Sequence, residues 1–134
     1  LVMALIFINF LNLNASQKRL GEKEATNSLI SSTKLNLVQK NNKKIFTIEV
    51  YSSNGKLSTK SEYELKDKDE NFEKNEIRKL YELEKSGKID YSSKIIETYY
   101  ENGNLKTRLT DTHVKEKLEE YDENGKLIRV ENGE

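Results

Sequence analysis

The formula Tyr-x-x-Asn-Gly-x-Leu occurs three times in this chain, and it limits the possible folds more than any other feature. The copies are Tyr51-Ser-Ser-Asn54-Gly55-Lys-Leu57, Tyr99-Tyr-Glu-Asn102-Gly103-Asn-Leu105 and Tyr121-Asp-Glu-Asn124-Gly125-Lys-Leu127. Leu83-Glu-Lys-Ser-Gly87-Lys-Ile89 reads as a worn fourth copy. Asn-Gly between apolar runs is the strongest short-range hairpin signal. Glycine adopts positive φ without a Cβ clash, and asparagine tolerates turn geometry better than most residues.

Two registers are open to such a turn. A three-residue loop with the glycine left-handed sets Tyr51 opposite Leu57, Tyr99 opposite Leu105 and Tyr121 opposite Leu127. A two-residue loop sets the same tyrosines opposite Ser58, Lys106 and Ile128. The first is preferred because it joins the two fixed apolar positions in every copy. An aromatic facing an aliphatic across a strand pair contributes roughly 0.2–1 kcal/mol.

The rest of the chain fits a sheet with a thin core. Alternation of Leu35 and Leu37 with Phe46, Ile48 and Val50 about Asn41-Asn42 predicts a hairpin in which Leu37 faces Phe46 and Leu35 faces Ile48. Ile45 and Tyr51 on the other face make the second of these strands apolar on both sides, so it is expected in the interior. Leu57, Thr59, Ser61, Tyr63 and Leu65 are expected to share one face. Lys66–Asn75 is a charged insertion, either a long loop or a short helix. Over Glu76–Glu84 a helix face (Ile77, Leu80, Tyr81, Glu84) competes with a strand face (Ile77, Lys79, Tyr81, Leu83), and the repeat logic favours the strand. Lys88–Tyr91 reads as a short strand, Ser92-Ser93 as a turn and Lys94–Tyr100 as a strand. Asn104–Thr110, Val114–Tyr121 and Leu127–Val130 read as further strands, with a turn at Asp111-Thr112. The expected fold is therefore mainly β: an antiparallel meander of repeat hairpins forming a single sheet over 33–134.

The first fifteen residues, LVMALIFINFLNLNA, resemble the hydrophobic core of a secretory signal, with Ala15 at a possible cleavage site. The run is shorter than the ~20 residues of a comfortable membrane span. It predicts export, to the cell envelope or beyond, with membrane contact only through this segment. The missing basic start suggests a truncated gene product or an unusual start codon. An uncleaved anchor and a plain hydrophobic N-terminal helix are the alternatives. Residues 16–32 read as a linker or weak helix.

Composition narrows the function classes. There is no cysteine, so no disulfide or thiolate metal site can form. Lys and Arg total 23 against 23 Asp and Glu, a net charge of zero, but the charge is unevenly spread. Residues 17–44 carry seven basic against two acidic side chains, and the remainder 16 against 21. A net-negative body argues against binding a phosphate backbone, so no nucleic-acid partner is expected. His113, the only histidine, has no nucleophile motif beside it and reads as an exposed structural residue. Asp67-Lys-Asp-Glu-Asn71 opens like a calcium loop, yet Phe72 stands where glycine is needed and Arg78 where a bidentate Glu is needed. No phosphate-binding loop, dinucleotide glycine pattern or Gly-x-Ser-x-Gly is present. A protein without catalytic residues, cofactor or metal is expected.

Tyr99-Tyr-Glu-Asn-Gly-Asn-Leu105 resembles the bacterial variant of the MORN repeat, which reads as strand, Tyr-Tyr-x-Asn-Gly-x-Leu, strand. The resemblance covers 45–65 and 94–130, and 76–91 poorly. This chain lacks the family's Gly-x-Trp and second glycine turn. Tyr121-Asp-Glu-Asn-Gly-Lys-Leu-Ile-Arg-Val130 is also similar to a YD repeat, the unit of large bacterial shell-forming toxins. The MORN resemblance implies an elongated hairpin array used as a contact surface, in secreted, surface or antitoxin-like proteins. It points to a protein-interaction or surface-binding module. The alternatives are a fragment of a larger repeat protein or an immunity-like binding protein. The partner would be a protein, and self-association through an edge strand is possible.

Overall fold

The computed structural model describes residues 22–30, 32–67 and 75–133. The signal-like segment 1–15 and most of the charged insertion lie outside the described residues. Among these residues eight strands form one antiparallel sheet in which spatial order equals chain order. They are β1 (Glu22–Ile30), β2 (Thr33–Lys40), β3 (Lys43–Tyr51), β4 (Leu57–Leu65), β5 (Tyr91–Tyr99), β6 (Leu105–Asp111), β7 (Glu116–Tyr121) and β8 (Leu127–Gly133). A helix, α1 (Glu76–Lys85), is inserted between β4 and β5.

The β2–β3 hairpin follows from its turn. Asn41 and Asn42 take φ 51° and 60°, the double positive φ of the two-residue turn whose twist matches the flanking strands. Leu37 then pairs with Phe46 and Leu35 with Ile48, as the alternation predicts. β3 is interior, between β2 and β4.

Pairing divides the sheet into two faces, because directly opposed residues lie on the same side. One, the helix face, holds the core: Leu35, Leu37, Phe46, Ile48, Tyr63 and Leu65, closed over by Ile77 of α1. Burying each such large side chain stabilises by roughly 1.5–3 kcal/mol. Aromatic contacts continue the core sideways. Phe46 stacks on Tyr63 at 6.4 Å, and Tyr63 meets Tyr91 edge-on at 5.6 Å. Lys44 is also fully buried on this face. Its Nζ donates to Glu76 Oε1 at 2.8 Å and lies 3.8 Å from Asp67, so the helix start is tied to β3 by a buried ion pair.

Several expectations are corrected. Residues 76–85 are a helix, not a strand. Ile77, Leu80 and Tyr81 all pack toward the core, the i, i+3, i+4 spacing of a helix face. Gly87 is therefore not a hairpin glycine. It sits at φ 73° just past the helix, its N–H bonding Glu84 O while Lys88 N–H bonds Leu83 O. That pair of bonds is the left-handed C-terminal motif of helices, which needs positive φ as much as a hairpin does.

Ser92-Ser93 is not a turn, and Lys88–Ile89 precede the strand instead of starting it. β5 runs unbroken from Tyr91, and Ser92 is an extra residue in its pairing with β4. Ser92 Oγ donates to Glu64 Oε2 at 2.7 Å, anchoring the bulge. The β6–β7 turn centres on His113-Val114, not Asp111-Thr112, with Thr112 N–H bonded to Lys115 O. The sheet begins at Glu22, inside the expected linker, because β1 is an edge strand held by backbone pairing to β2 and needs no alternating apolar pattern. Finally, Leu57 does not share the face of Thr59–Leu65, for a reason found at the repeat turns.

Candidate functional site

The three repeat turns close alike. Gly55, Gly103 and Gly125 lie at φ 83°, 91° and 90°. Their N–H groups bond Ser52 O, Tyr100 O and Asp122 O, while Ser52, Tyr100 and Asp122 N–H bond Lys56 O, Asn104 O and Lys126 O. This is the three-residue loop with a left-handed third residue. Tyr51 pairs with Leu57, Tyr99 with Leu105 and Tyr121 with Leu127, the register the repeat predicts.

Each pair is followed by a one-residue register shift that leaves Ser58, Lys106 or Ile128 as the extra residue. A bulge of this kind reverses the in–out phase of the strand. It moves Leu57, Leu105 and Leu127 onto the face of their tyrosines, away from α1. Because alternate connections lie at the same end of a meander, the Tyr–Leu pairs form a strip along one end of this second face. All three tyrosines are half-buried, and Leu127 is 44% exposed.

A row of charges runs beside the strip. Successive pairings join Lys34, Glu49, Lys60, Glu97, Arg108 and Glu119, one residue per strand from β2 to β7, with strictly alternating sign. Arg108 Nη2 and Nε both reach Glu97 Oε2 at 2.9 Å. The glutamates also hold the tyrosines. Tyr99 donates to Glu97 Oε1 at 3.0 Å and Tyr121 to Glu119 Oε2 at 2.8 Å, and Tyr51 bonds Glu49 likewise. Burial first, then these carboxylates, pushes Tyr51 and Tyr99 up to about 12. For Tyr121 the Glu119 hydrogen bond is the leading cause of a rise. The phenols stay neutral, their hydroxyls committed and their rings fixed over the strip.

The second and third turns are stitched together. Tyr100 donates to Tyr121 O at 2.8 Å, and the amides of Asn102 and Asn104 donate to Glu123 O at 2.9 and 2.7 Å. Asn102 thus does more than permit its turn: it docks one repeat on the next. Asn54 and Asn102 also accept from the N–H two residues on, at Lys56 and Asn104. In the third copy Asp122 does this work instead, accepting from Asn124 and Lys126 N–H.

The structure therefore brings Tyr51, Leu57, Tyr99, Leu105, Tyr121 and Leu127 together and leaves Gly87 apart, at the end of α1. His113 also lies apart, stacked on Tyr91 at 4.3 Å with Nε2 2.9 Å from Tyr91 O. Its positive φ of 69° is held by a bond from its N–H to Asp111 Oδ1, and Asp111 Oδ2 accepts from Tyr91 at 2.7 Å. Those donors, the His113 amide foremost, hold Asp111 below the usual carboxylate range. The cluster locks a turn.

The glutamates are what repeat reading missed. Each copy carries Glu two residues before its tyrosine (Glu49, Glu97, Glu119), and the first two carry a basic residue three after the leucine (Lys60, Arg108). The fuller formula, Glu-x-Tyr-x-x-Asn-Gly-x-Leu-x-x-Lys/Arg, was open to inspection. No family model, curated protein or solved structure matches the chain.

Proposed function

We propose that the chain is an exported, non-catalytic β-repeat protein whose Tyr–Leu strip is a protein-contact surface, in the manner of the bacterial MORN-type arrays its turns resemble. The observation that carries this reading is the alignment of Tyr51–Leu57, Tyr99–Leu105 and Tyr121–Leu127 on the face opposite α1. Aromatic side chains fixed before binding give contact area at low entropic cost. The flanking charge row alternates in sign and is bridged at Lys34–Glu49 and Arg108–Glu97, so it sets orientation and partner choice more than raw affinity. The N-terminal apolar run supports export.

The test is site-specific photo-crosslinking in the native cell. A photoreactive residue at Leu105 is expected to capture one discrete protein partner. One at Leu109, on the helix face of the same strand, is expected to capture none. Equal capture at both, or none at either, contradicts the reading. A fusion to a reporter active only outside the cytoplasm tests export separately.

A further inference from the structure

Among the described residues β8 presents an open edge, more apolar than a solvated edge requires: Leu127, Ile128 and Val130 are 44%, 60% and 41% exposed. Edge strands are ready templates for another strand. The order of residues here selects which strand. A two-fold axis normal to an antiparallel sheet passes midway between a residue and its own copy, so one residue pairs with itself. The midpoint of Leu127–Gly133 is Val130. Centring there uses the whole strand and sets Arg129 opposite Glu131 of a second copy, and Glu131 opposite its Arg129. Moving the centre by one residue sets Arg129 against Arg129 or Glu131 against Glu131. In a single chain Arg129 already bridges Glu120 at 3.7 Å and meets Glu131 on its own strand. All three belong to the helix face, so pairing across the edge would extend that network into the second copy.

We infer that β8 is a homodimerisation edge, joining two copies antiparallel in register on Val130 into one continuous sheet with reciprocal Arg129–Glu131 pairs. The occupant is a second copy because the strand is complementary in charge to its own reversal, Arg129 meeting Glu131 about Val130. The Arg129–Glu131 pairs lie on the helix face, opposite the Tyr–Leu strip, while Leu127 belongs to both the strip and this edge.

Sedimentation of the full chain over a range of concentrations tests it, with circular dichroism confirming that each variant keeps its sheet. The chain is expected to dimerise. Arg129→Glu or Glu131→Arg alone places like charges opposite each other twice per dimer and is expected to weaken association by at least about tenfold. The double exchange R129E/E131R recreates the complementarity and is expected to restore the dimer. Because the chain has no cysteine, V130C reports the register: oxidation is expected to give a disulfide dimer efficiently, and I128C, opposite Asn132, poorly. A monomer at every concentration, open-ended filaments, failure of the double exchange to rescue, or preferential cross-linking of I128C would each overturn the proposal.

Discussion

Arg108 reaches Glu97 across the β5–β6 pair with two nitrogens on one carboxylate oxygen, both at 2.9 Å, leaving the other oxygen to Tyr99. The pair is the best-formed step of the alternating charge row. It lies inside a sheet, with Glu97 only 17% exposed, so solvent screens it less than an ordinary surface bridge. A double-mutant cycle of Glu97→Gln and Arg108→Met is expected to give a coupling of about 0.5–1 kcal/mol by denaturant unfolding. A coupling near zero would show the row to be decorative.

The repeat glycines act through backbone conformation alone. A Cβ at Gly103 would meet nothing within 4 Å, yet φ is 91°. Gly103→Ala is expected to cost about 1–2 kcal/mol, and Gly103→Asn less, since asparagine tolerates left-handed backbone. An alanine variant as stable as the parent in urea melts would contradict the turn geometry.

Lys44 is buried without exposure, and its partner Glu76 begins α1. Lys44→Met strands a buried carboxylate, with an expected loss of about 3 kcal/mol or more. Adding Glu76→Leu is expected to recover much of that loss. Denaturant midpoints of the single and double variants decide it.

Alkaline pH should loosen the strip. Tyr51 and Tyr99 rise from 10.0 to about 12. The folded state therefore holds their protons more tightly than the unfolded chain. Their stabilisation is complete below pH ~10 and is lost as pH climbs toward ~12. Y51F/Y99F removes both ionisations, so its stability is expected to fall less steeply over that window. Equal slopes for parent and variant would contradict the assignment.

Much of this was legible because hairpin register is local. Gly55, Gly103 and Gly125 fix a loop length, and the loop length fixes which residues meet. The same economy misled at Gly87: positive φ serves a helix end as well as a hairpin. In 76–85 the sequence supports both periods, and only packing onto the core cluster of the sheet selects the helix. β1 was illegible because Glu22–Ile30 has no alternating apolar run, with only Ala25, Leu29 and Ile30 apolar. The charge row was hidden for another reason. Glu49, Lys60, Glu97 and Arg108 become neighbours only once every intervening register, bulges included, is known.

The central claim is that bulged three-residue hairpins place three Tyr–Leu pairs on the face opposite α1. Proton NMR tests it most directly, through cross-strand contacts between aromatic and methyl protons. The account predicts strong contacts from Tyr51 to Leu57, Tyr99 to Leu105 and Tyr121 to Leu127. Contacts from Tyr121 to Ile128 in place of Leu127, with Tyr51 facing Ser58 and Tyr99 facing Lys106, would mean a two-residue loop and would contradict it.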